Sequence, residues 1–525
     1  MTPREAIRAA PGEACRPEPR RVLAPDIWAA LPQDPALRLL ALWADTVQAH
    51  ALLLDTTDGA VLPVSVAVQD GAYPALSVDW GGISAPQAAQ PVSAAPAPPA
   101  APALQHAPTA SAWPGAAWFE RMVHDLWGHT AVGAHDLRPW LDHGRWPHTM
   151  PLASRPGPPV VSPEPPEFLA DDTEGLMQLP LGPVRDAIGE PAHLRLTLRG
   201  DSVLRAEARL GYAHKGTLLL LRGKSPRAAA RFIARLSADA TVAHALAFAH
   251  AAEIATESPA PPRAVALRAL MAELERIAGH LDALSVLADC LEAAAFGGAC
   301  CLHRELLRRA AEVAFGHRLM MDWVVPGGIA ADIAPGGVEA VRRALQRLRD
   351  ALPELQALAD ALAVRLRGIG SVSPELAALY ALGGVAGRAA GRRFDARALY
   401  PPYAALGFST LAGSGGDAAG RLRQQLGEIA DSLHLTTALL DDLPDGAMNV
   451  PLQPVSGEGV GCAESPRGDI WHWLRLDHGQ IAAAFLRDPG WALWPVAEAV
   501  LLDSRVEEAD LVRISFGLPS SGVDL

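Results

Sequence analysis

Cysteine is scarce, at five in 525 residues. So small and odd a set excludes a disulfide scaffold and fits a reducing cytosol. Basic residues are in deficit, 45 against 58 acidic, and the net charge of −13 leaves no electrostatic footprint for nucleic acid. Long apolar runs are also missing. The N-terminal MTPREAIRAAPGEACRPEPRR mixes charge and proline where a secretory signal needs an apolar stretch. The most apolar later stretch, Leu281 to Cys301, still carries Asp282, Asp289 and Glu292. No transmembrane helix is expected, so any contact with a membrane would be indirect, through a partner.

Several chemical motifs are absent as well. There is no GxxxxGK[ST] phosphate loop, and the glycines of GSGGDAAG do not fall at GxGxxG spacing. HExxH, GxSxG and CxxC do not occur. Cys300 and Cys301 are adjacent, so on a helix their side chains diverge, and they read as buried free thiols rather than chelators.

Half of the residues are hydrophobic and 20% are charged, enough for two to four folded domains. Two proline-rich stretches divide them. Ser84 to Ala112 is an Ala/Pro tract without periodicity, expected to be a flexible insertion, and Pro151 to Asp172 reads as a linker. Strand-like runs at 51–55 and 61–68, with the polar-aromatic block Trp113 to Met150, make a small α/β N-terminal domain of residues 1–83 and 113–150. Residues 173–525 open on the period-two strands of HLRLTLRGDSVLRAEARLGY. Helical stretches follow at about 226–256, 263–297, 302–316, 337–367 and 416–440. The expected class is α+β, with the small domain followed by a large, mainly helical domain carrying β elements at its ends.

Taken one by one, the chemistry-bearing residues are ambiguous. His214, in LGYAHKG, is a loop histidine able to donate to a ligand carbonyl or to contact backbone. His244 and His250 lie six apart on a helix and face different ways, against a shared metal. Glu275 and Arg276 in LERIAGHLD read as a functional ion pair or as a salt-bridged helix face.

Ordered strings give a resemblance. ERMVHDLWGHTAVGAHDLRPWL, followed by the MPL of Met150 to Leu152, resembles the signature of the 30 kDa subunit of NADH–quinone oxidoreductase. Asp125, Gly128, His135, Asp136, Leu137 and Arg138 stand at its motif positions. From Leu181 onward the chain resembles the 49 kDa subunit, and equally the large subunit of membrane-bound group 4 [NiFe] hydrogenases. The matching strings are LGPVRDAIGEPAHLRL, LGYAHKG, ALMAELERIAGHLDAL, LHRELLRRAAEVAFGHRLMMDWVVPGGIAADI, RRFDARALYPPY and SGEGVGCAESPRGDIWHWLRLDHG. The closing segment from Arg487 is most similar to the hydrogenase-4 component G type.

The departures from that pattern bear on function. The resemblance places the four nickel–iron cysteine ligands at Ser237, Ala240, Gly490 and Leu493, none of which is a cysteine. Soft thiolates are needed for such a centre, so no metal is expected on this chain. The same resemblance makes His214, Ala238 and His244 the acceptor-contact positions for a quinone, with Ala238 standing where the family has a tyrosine. Glu273, Glu275, Arg276, His280, Glu305, Arg318, Asp332, Asp395 and Arg397 fall in matched strings. They are expected either to form a buried polar network near the subunit interface or to hold helices in register.

The implied protein is a peripheral subunit on the cytoplasmic side of the inner membrane, in a complex I-like or hydrogenase-4-like oxidoreductase. Its implied partners are a small subunit carrying an iron–sulfur cluster and antiporter-like membrane subunits. A quinone is the implied acceptor, at the subunit interface. One rival is a non-catalytic structural subunit with a metal-free cavity. A more distant one is a hydrogenase with unusual ligands such as Asp488, Ser237 or His244.

Overall fold

The computed structural model describes residues 2–10, 12–13, 19–77, 113–134, 136, 138–161, 168, 173, 175–184 and 190–525. The Ala/Pro tract of residues 84–112, most of the second half of the linker, His135, Leu137 and residues 185–189 lie outside them. The chain divides into two compact units, the first comprising Met1–Glu13 with Glu18–Leu176 and the second containing Met177–Leu525.

The first unit begins with α1 (Pro3–Ala9) and builds a five-stranded sheet. Its strands are β1 (Gly12–Glu13), β2 (Arg20–Leu23), β3 (Leu37–Ala44), β4 (Gln48–Asp55) and β5 (Val61–Ala67), in spatial order β1-β2-β5-β4-β3. Only the β2–β5 pair is parallel. A short α2 (Pro25–Ala30) follows β2, and β6 (Ala72–Pro74) pairs in parallel with β7 (Thr130–Val132). Helix α3 (Ala116–Trp127) carries the start of the 30 kDa-like signature and stops at Gly128, whose φ of 76° suits glycine. Asp125 accepts from the backbone N–H groups of Trp140 and Leu141 at 2.7 Å, pinning the following loop.

The second unit opens with an antiparallel sheet of β8 (Met177–Leu181), β9 (His193–Arg199) and β10 (Ser202–Arg209). Two short helices, α4 (Thr217–Leu221) and α5 (Pro226–Ile233), precede three long ones. These are α6 (Thr241–Thr256), α7 (Pro262–Cys290) and α8 (Ala294–Phe315). The ribbon β11 (Val324–Val325) with β12 (Gly328–Ile329) leads to α9 (Gly337–Ala363). Three short helices, α10 (Pro374–Leu379), α11 (Gly384–Ala389) and α12 (Pro401–Ala405), precede α13 (Ala418–Asp441). The chain finishes with the meander β13 (Gly457–Glu464), β14 (Asp469–Asp477) and β15 (Gln480–Arg487), then α14 (Gly490–Leu501) and α15 (Ala509–Phe516). The expected mixed class and the β elements at both ends of the helical region are present.

Two helix boundaries differ from the sequence expectation, and both have physical causes. The run at 226–256 is two helices, parted by a turn at 234–240 that contains neither glycine nor proline. The first free N–H groups of α6 are instead satisfied from α7: Glu275 accepts from Val242 at 2.6 Å and Ala243 at 2.9 Å. The run at 263–297 breaks at 291–293, where Glu292 adopts φ 55°. There the chain reverses into the α7–α8 hairpin, and Gly297 packs on Ala288. Helix α6 is buried on nearly every side, with Ala247, Ala251 and Ala255 beneath the glycines of β13.

Candidate functional site

The turn at 234–240 joins α5 to α6 and is held by a side chain from the β13–β14 connection. Ser237 Oγ donates to Asp239 Oδ1 at 2.5 Å. Arg467 bonds the Asp239 carboxylate, donates to Ser237 Oγ at 3.3 Å and donates to the carbonyl of Gly517 at 3.3 Å. Its own turn is fixed by Ser465 Oγ, which accepts from the N–H groups of Arg467 and Gly468 at 3.2 Å. Burial lowers the Arg467 guanidinium from its ordinary value, against the pull of Asp488 and Glu190.

Behind this turn lies a row of buried groups. His244 Nε2 is 3.1 Å from Asp488 Oδ2, and its Nδ1 is 3.1 Å from His472 Nε2. Asp488 also accepts from the N–H of Gly490 at 2.8 Å. Burial opposes its charge, yet hydrogen bonding from His244 and the nearby Arg467 hold it below the usual carboxylate range. His472 is held well below the ordinary imidazole value by burial and then by His244, and is therefore neutral.

The GYAHKG loop is tied to the segment 517–525. Asp524 accepts from Gly211 and Ala213 N–H at 2.7 Å each, and its carbonyl lies 2.5 Å from His214 Nδ1. Lys215 Nζ donates to the carbonyls of Leu236 and Ser521 at 3.2 and 3.3 Å, linking the loop to the 234–240 turn. Glu190 accepts from the Ser520 and Ser521 N–H groups at 2.6 and 2.8 Å. His214 itself is half-buried.

The four ligand positions implied by the hydrogenase resemblance do not fit a nickel–iron centre. They offer a hydroxyl already engaged by Asp239 and Arg467, a methyl, a hydrogen and an isobutyl group. A Cβ on Gly490 would lie 2.4 Å from Val523 Cγ2 and 3.0 Å from Asp488 Oδ1, so a thiolate there would displace the 517–525 segment.

The matched polar residues of α7 separate. Glu275 and Arg276, adjacent on the helix, are not each other's partners. Glu275 caps α6, whereas Arg276 donates to the carbonyls of Glu464 and Ser465 at 2.6 and 3.0 Å. Glu275 and Arg276 therefore make no ion pair with each other, whereas a salt-bridged helix face is present in buried form, with Arg276 Nε 3.5 Å from Glu273 one turn earlier on α7.

Arg276 belongs instead to a network spread over four helices and the end of β13. Arg388 donates to Glu428 at 2.8 Å and to Glu464 at 2.6 Å, and lies 3.2 Å from Asp395. Arg397 binds Asp395 at 2.9 Å and Glu273 at 3.3 Å, and Tyr403 OH donates to Glu273 at 2.6 Å. His280 Nε2 lies 3.0 Å from Glu428. Arg318 stands apart, paired with Glu305 at 2.7 Å on a partly exposed surface, and Asp332 binds Arg263 at 2.8 Å. Arg388, Glu428, Glu464, Arg467 and His472 are the polar residues that sequence reasoning missed as partners. The available signal was ESPRGD and the charges at otherwise apolar helix positions.

A small, partly open cleft of about 30 Å³ lies between α7, α8 and the turn at 234–240, lined among others by Ala238, Asp239, Glu275, Arg308 and Arg318. It brings together Ala238, Glu275 and Arg318 of the expected set. His214 and His244 are not among its lining residues.

Burial pushes three carboxyl groups of this unit up to about 7: Glu275, Glu464 and Asp524. The folded unit therefore binds more protons than the unfolded chain between their ordinary values, 4.5 or 3.8, and about 7. In that window stability falls as pH rises, by at most about 1.4 kcal/mol per pH unit per group. Glu273, Glu428 and Asp488 are shifted down, so their stabilisation is lost only as pH falls below the usual carboxylate range. Buried histidines held below their ordinary value, His250, His280 and His472, act in the opposite sense as pH falls through about 6.5, so the carboxyl contribution is read by difference. The urea midpoint of the wild type relative to Glu275→Gln is expected to rise as pH is lowered from about 7 to about 5, and a difference that instead shrinks over that interval would contradict the raised value of Glu275.

Comparison with known proteins agrees with this architecture. The family profile of the respiratory-chain NADH dehydrogenase 49 kDa subunit matches residues 295–456, and that of the 30 kDa subunit matches residues 99–155. Formate hydrogenlyase subunit 5 of Escherichia coli is 29% identical over 76% of this chain and 73% of its own. Hydrogenase-4 component G of the same organism is 27% identical over 76% and 72%. An NADH-quinone oxidoreductase subunit of Syntrophobacter fumaroxidans is 30% identical over 60% of this chain and 87% of its own. A chain in the structure of the membrane-bound sulfane sulfur reductase, an archaeal respiratory membrane complex, shares the fold with TM-score 0.63 at 22% identity, over 68% of this chain and all of that one. Among the described residues no helix is long and apolar enough to cross a membrane. With the Syntrophobacter relative at 30% identity and both profiles matched in order, the chain belongs to the family of the 49 kDa subunit of respiratory-chain NADH dehydrogenase, fused to a 30 kDa-type segment.

Proposed function

We propose that this chain is a peripheral subunit of a membrane-bound oxidoreductase complex, on the cytoplasmic side of the inner membrane. In it, electrons pass from an iron–sulfur partner to a quinone-type acceptor near the GYAHKG loop, with His214 as a contact. The partner's cluster supplies electron transfer; antiporter-like membrane subunits complete the assembly. The observation that carries this reading is the polar centre of Arg467, Asp239, Asp488 and His244. Asp488 and His244 remain fully buried and bonded to each other, and the partly buried Arg467 and Asp239 remain paired, although every thiolate position is lost. Burying charge is costly, and hydrophobic replacements are often at least as stable, so an idle cavity has little to retain it. Relatedness to the NADH-quinone oxidoreductase of Syntrophobacter fumaroxidans supports the same acceptor class.

The rival reading, a structural subunit with an inert cavity, draws on Val523 filling the space at Gly490. His214→Ala in the native membrane complex separates the two. The acceptor reading expects an assembled complex with quinone reduction down at least tenfold; full turnover in that variant supports the scaffold.

A further inference from the structure

Between Glu207 and Asp239 the chain carries no acidic residue and seven basic ones, from Arg209 to Arg235. In a protein of net charge −13 this is a strong local inversion of sign. The segment folds as α4 and α5, which pack on each other, and the folding sorts its side chains. Helix α5 turns Pro226, Ala229, Ala230 and Ile233 inward and leaves Arg227, Ala228 and Arg231 exposed. Lys224 Nζ and Arg231 Cζ stand over the same Phe232 ring, 5.6 and 5.7 Å from its centre. Helix α4 buries Leu218 and Leu221, whereas Leu219 and Leu220 are 48% and 44% exposed. Charge is balanced only at the margin. Arg235 pairs with Asp322 at 2.6 Å, and Lys215 Nζ donates to two backbone carbonyls. Lys224, Arg227 and Arg231 form no ion pair among the described residues, and Asp322 acts on Arg231 only from beyond ion-pair distance.

Exposed leucines on one short helix, beside unpaired cations on the next, suit the surface of a bilayer. The leucines enter the headgroup layer and the basic groups meet lipid phosphates, with no set geometry required. A protein carboxylate is instead read by a guanidinium held as a fork, as Arg235 reads Asp322. We propose that α4 and α5 form a docking surface for anionic phospholipid, so that this chain touches the membrane itself. The sequence implied a membrane contact only through a partner. Gly216 of GYAHKG is the N-cap of α4, which sets the bilayer beside the loop carrying His214. This rests on the peripheral placement proposed above and is independent of which acceptor is used.

The test is co-sedimentation of the purified full-length chain with vesicles of phosphatidylcholine, with and without phosphatidylglycerol. A chain of net charge −13 is repelled as a whole by an anionic surface, so attraction there reports the local cluster. Binding is expected only where phosphatidylglycerol is present, and it weakens as salt shortens the screening length. Each basic side chain near such a surface is worth about fivefold in affinity, so Arg227→Gln with Arg231→Gln should lose about 25-fold. Leu219→Ser with Leu220→Ser should lose about tenfold. Arg343→Gln with Arg347→Gln, exposed on α9, is the control and should bind as the wild type does. Circular dichroism confirms the fold of each variant. Absence of binding, equal binding to both kinds of vesicle, or a control that loses as much as the α5 pair overturns the proposal. Binding to polyglutamate without binding to vesicles also overturns it, and assigns the surface to an acidic protein. Fractionation of the native complex is measured in parallel. A complex found in native membranes while the purified chain ignores vesicles removes the lipid surface alone, whereas a complex absent from membranes removes the placement beneath it.

Discussion

Gly461→Val is expected to leave no soluble, folded second unit. A Cβ at Gly461 would stand 2.2 Å from the Ala247 carbonyl oxygen and 2.4 Å from the Ala251 nitrogen. Gly459 would meet the Ala251 oxygen at 2.2 Å, and Gly457 the Ala255 oxygen at 2.4 Å. These obstacles are backbone, so no rotamer change relieves them. The spacing has a simple origin. Two residues of strand advance about 6.7 Å and four residues of helix about 6 Å, so alternate residues of β13, its glycines, fall over the alanines at every fourth position of α6. The strand and the helix are thus in direct main-chain contact over three repeats. Adding a branched side chain forces them apart in the middle of the core, a cost above about 4 kcal/mol. Gly298→Ala is the control: an added Cβ meets nothing within 4 Å on α8, and alanine favours a helix by up to about 1 kcal/mol. Soluble yield and far-ultraviolet circular dichroism read both variants, and a well-folded Gly461→Val protein would refute the packing.

The second large effect is expected from Arg388→Met. Arg388 is 1% exposed and bonds Glu428 and Glu464 while lying against Asp395. The network sets four nearly fully buried carboxylic acids, Glu273, Asp395, Glu428 and Glu464, against three guanidinium groups, Arg276, Arg388 and Arg397. Removing one cation leaves carboxylates without compensation, which costs about 3–5 kcal/mol. The urea midpoint should fall accordingly, and Arg388→Met with Glu428→Gln should lose less than the single variant. A single variant within about 1 kcal/mol of wild type would mean that the network is not closed as described.

Much of the fold was legible because it follows periodicity. Alternating residues in β9 and β10 and the long Ala/Leu helices declare themselves in the sequence. The break before α6 does not, since its cap is the side chain of Glu275, distant in sequence and near only after folding. The break at Glu292 is similar, because no glycine or proline marks it. Within the site, ordered motifs directed attention to His214, His244 and the 237–240 turn. Local reasoning could not pair Arg467 with Asp239, or Asp488 with His244, since those contacts span more than 220 residues. Glu275 and Arg276 show the same gap in small compass: neighbours in sequence, they point along different radii of α7 and serve different elements. The glycine alternation in SGEGVG was readable as a close approach of backbones, the physical meaning of small residues at period two.

The contact between β13 and α6 also constrains motion. With main chains touching at three levels, the strand and helix have no compressible side-chain layer through which to slide. The helix carries His244, while the same meander carries His472 and ends next to Asp488. The row of three groups is therefore mounted on a single stiff plate. Any breathing at the centre falls to the parts that are not on the plate: the turn from Arg235 to Ala240, the GYAHKG loop and the segment 517–525. A ligand arriving there would meet a rim held by side-chain hydrogen bonds above a floor of touching main chains.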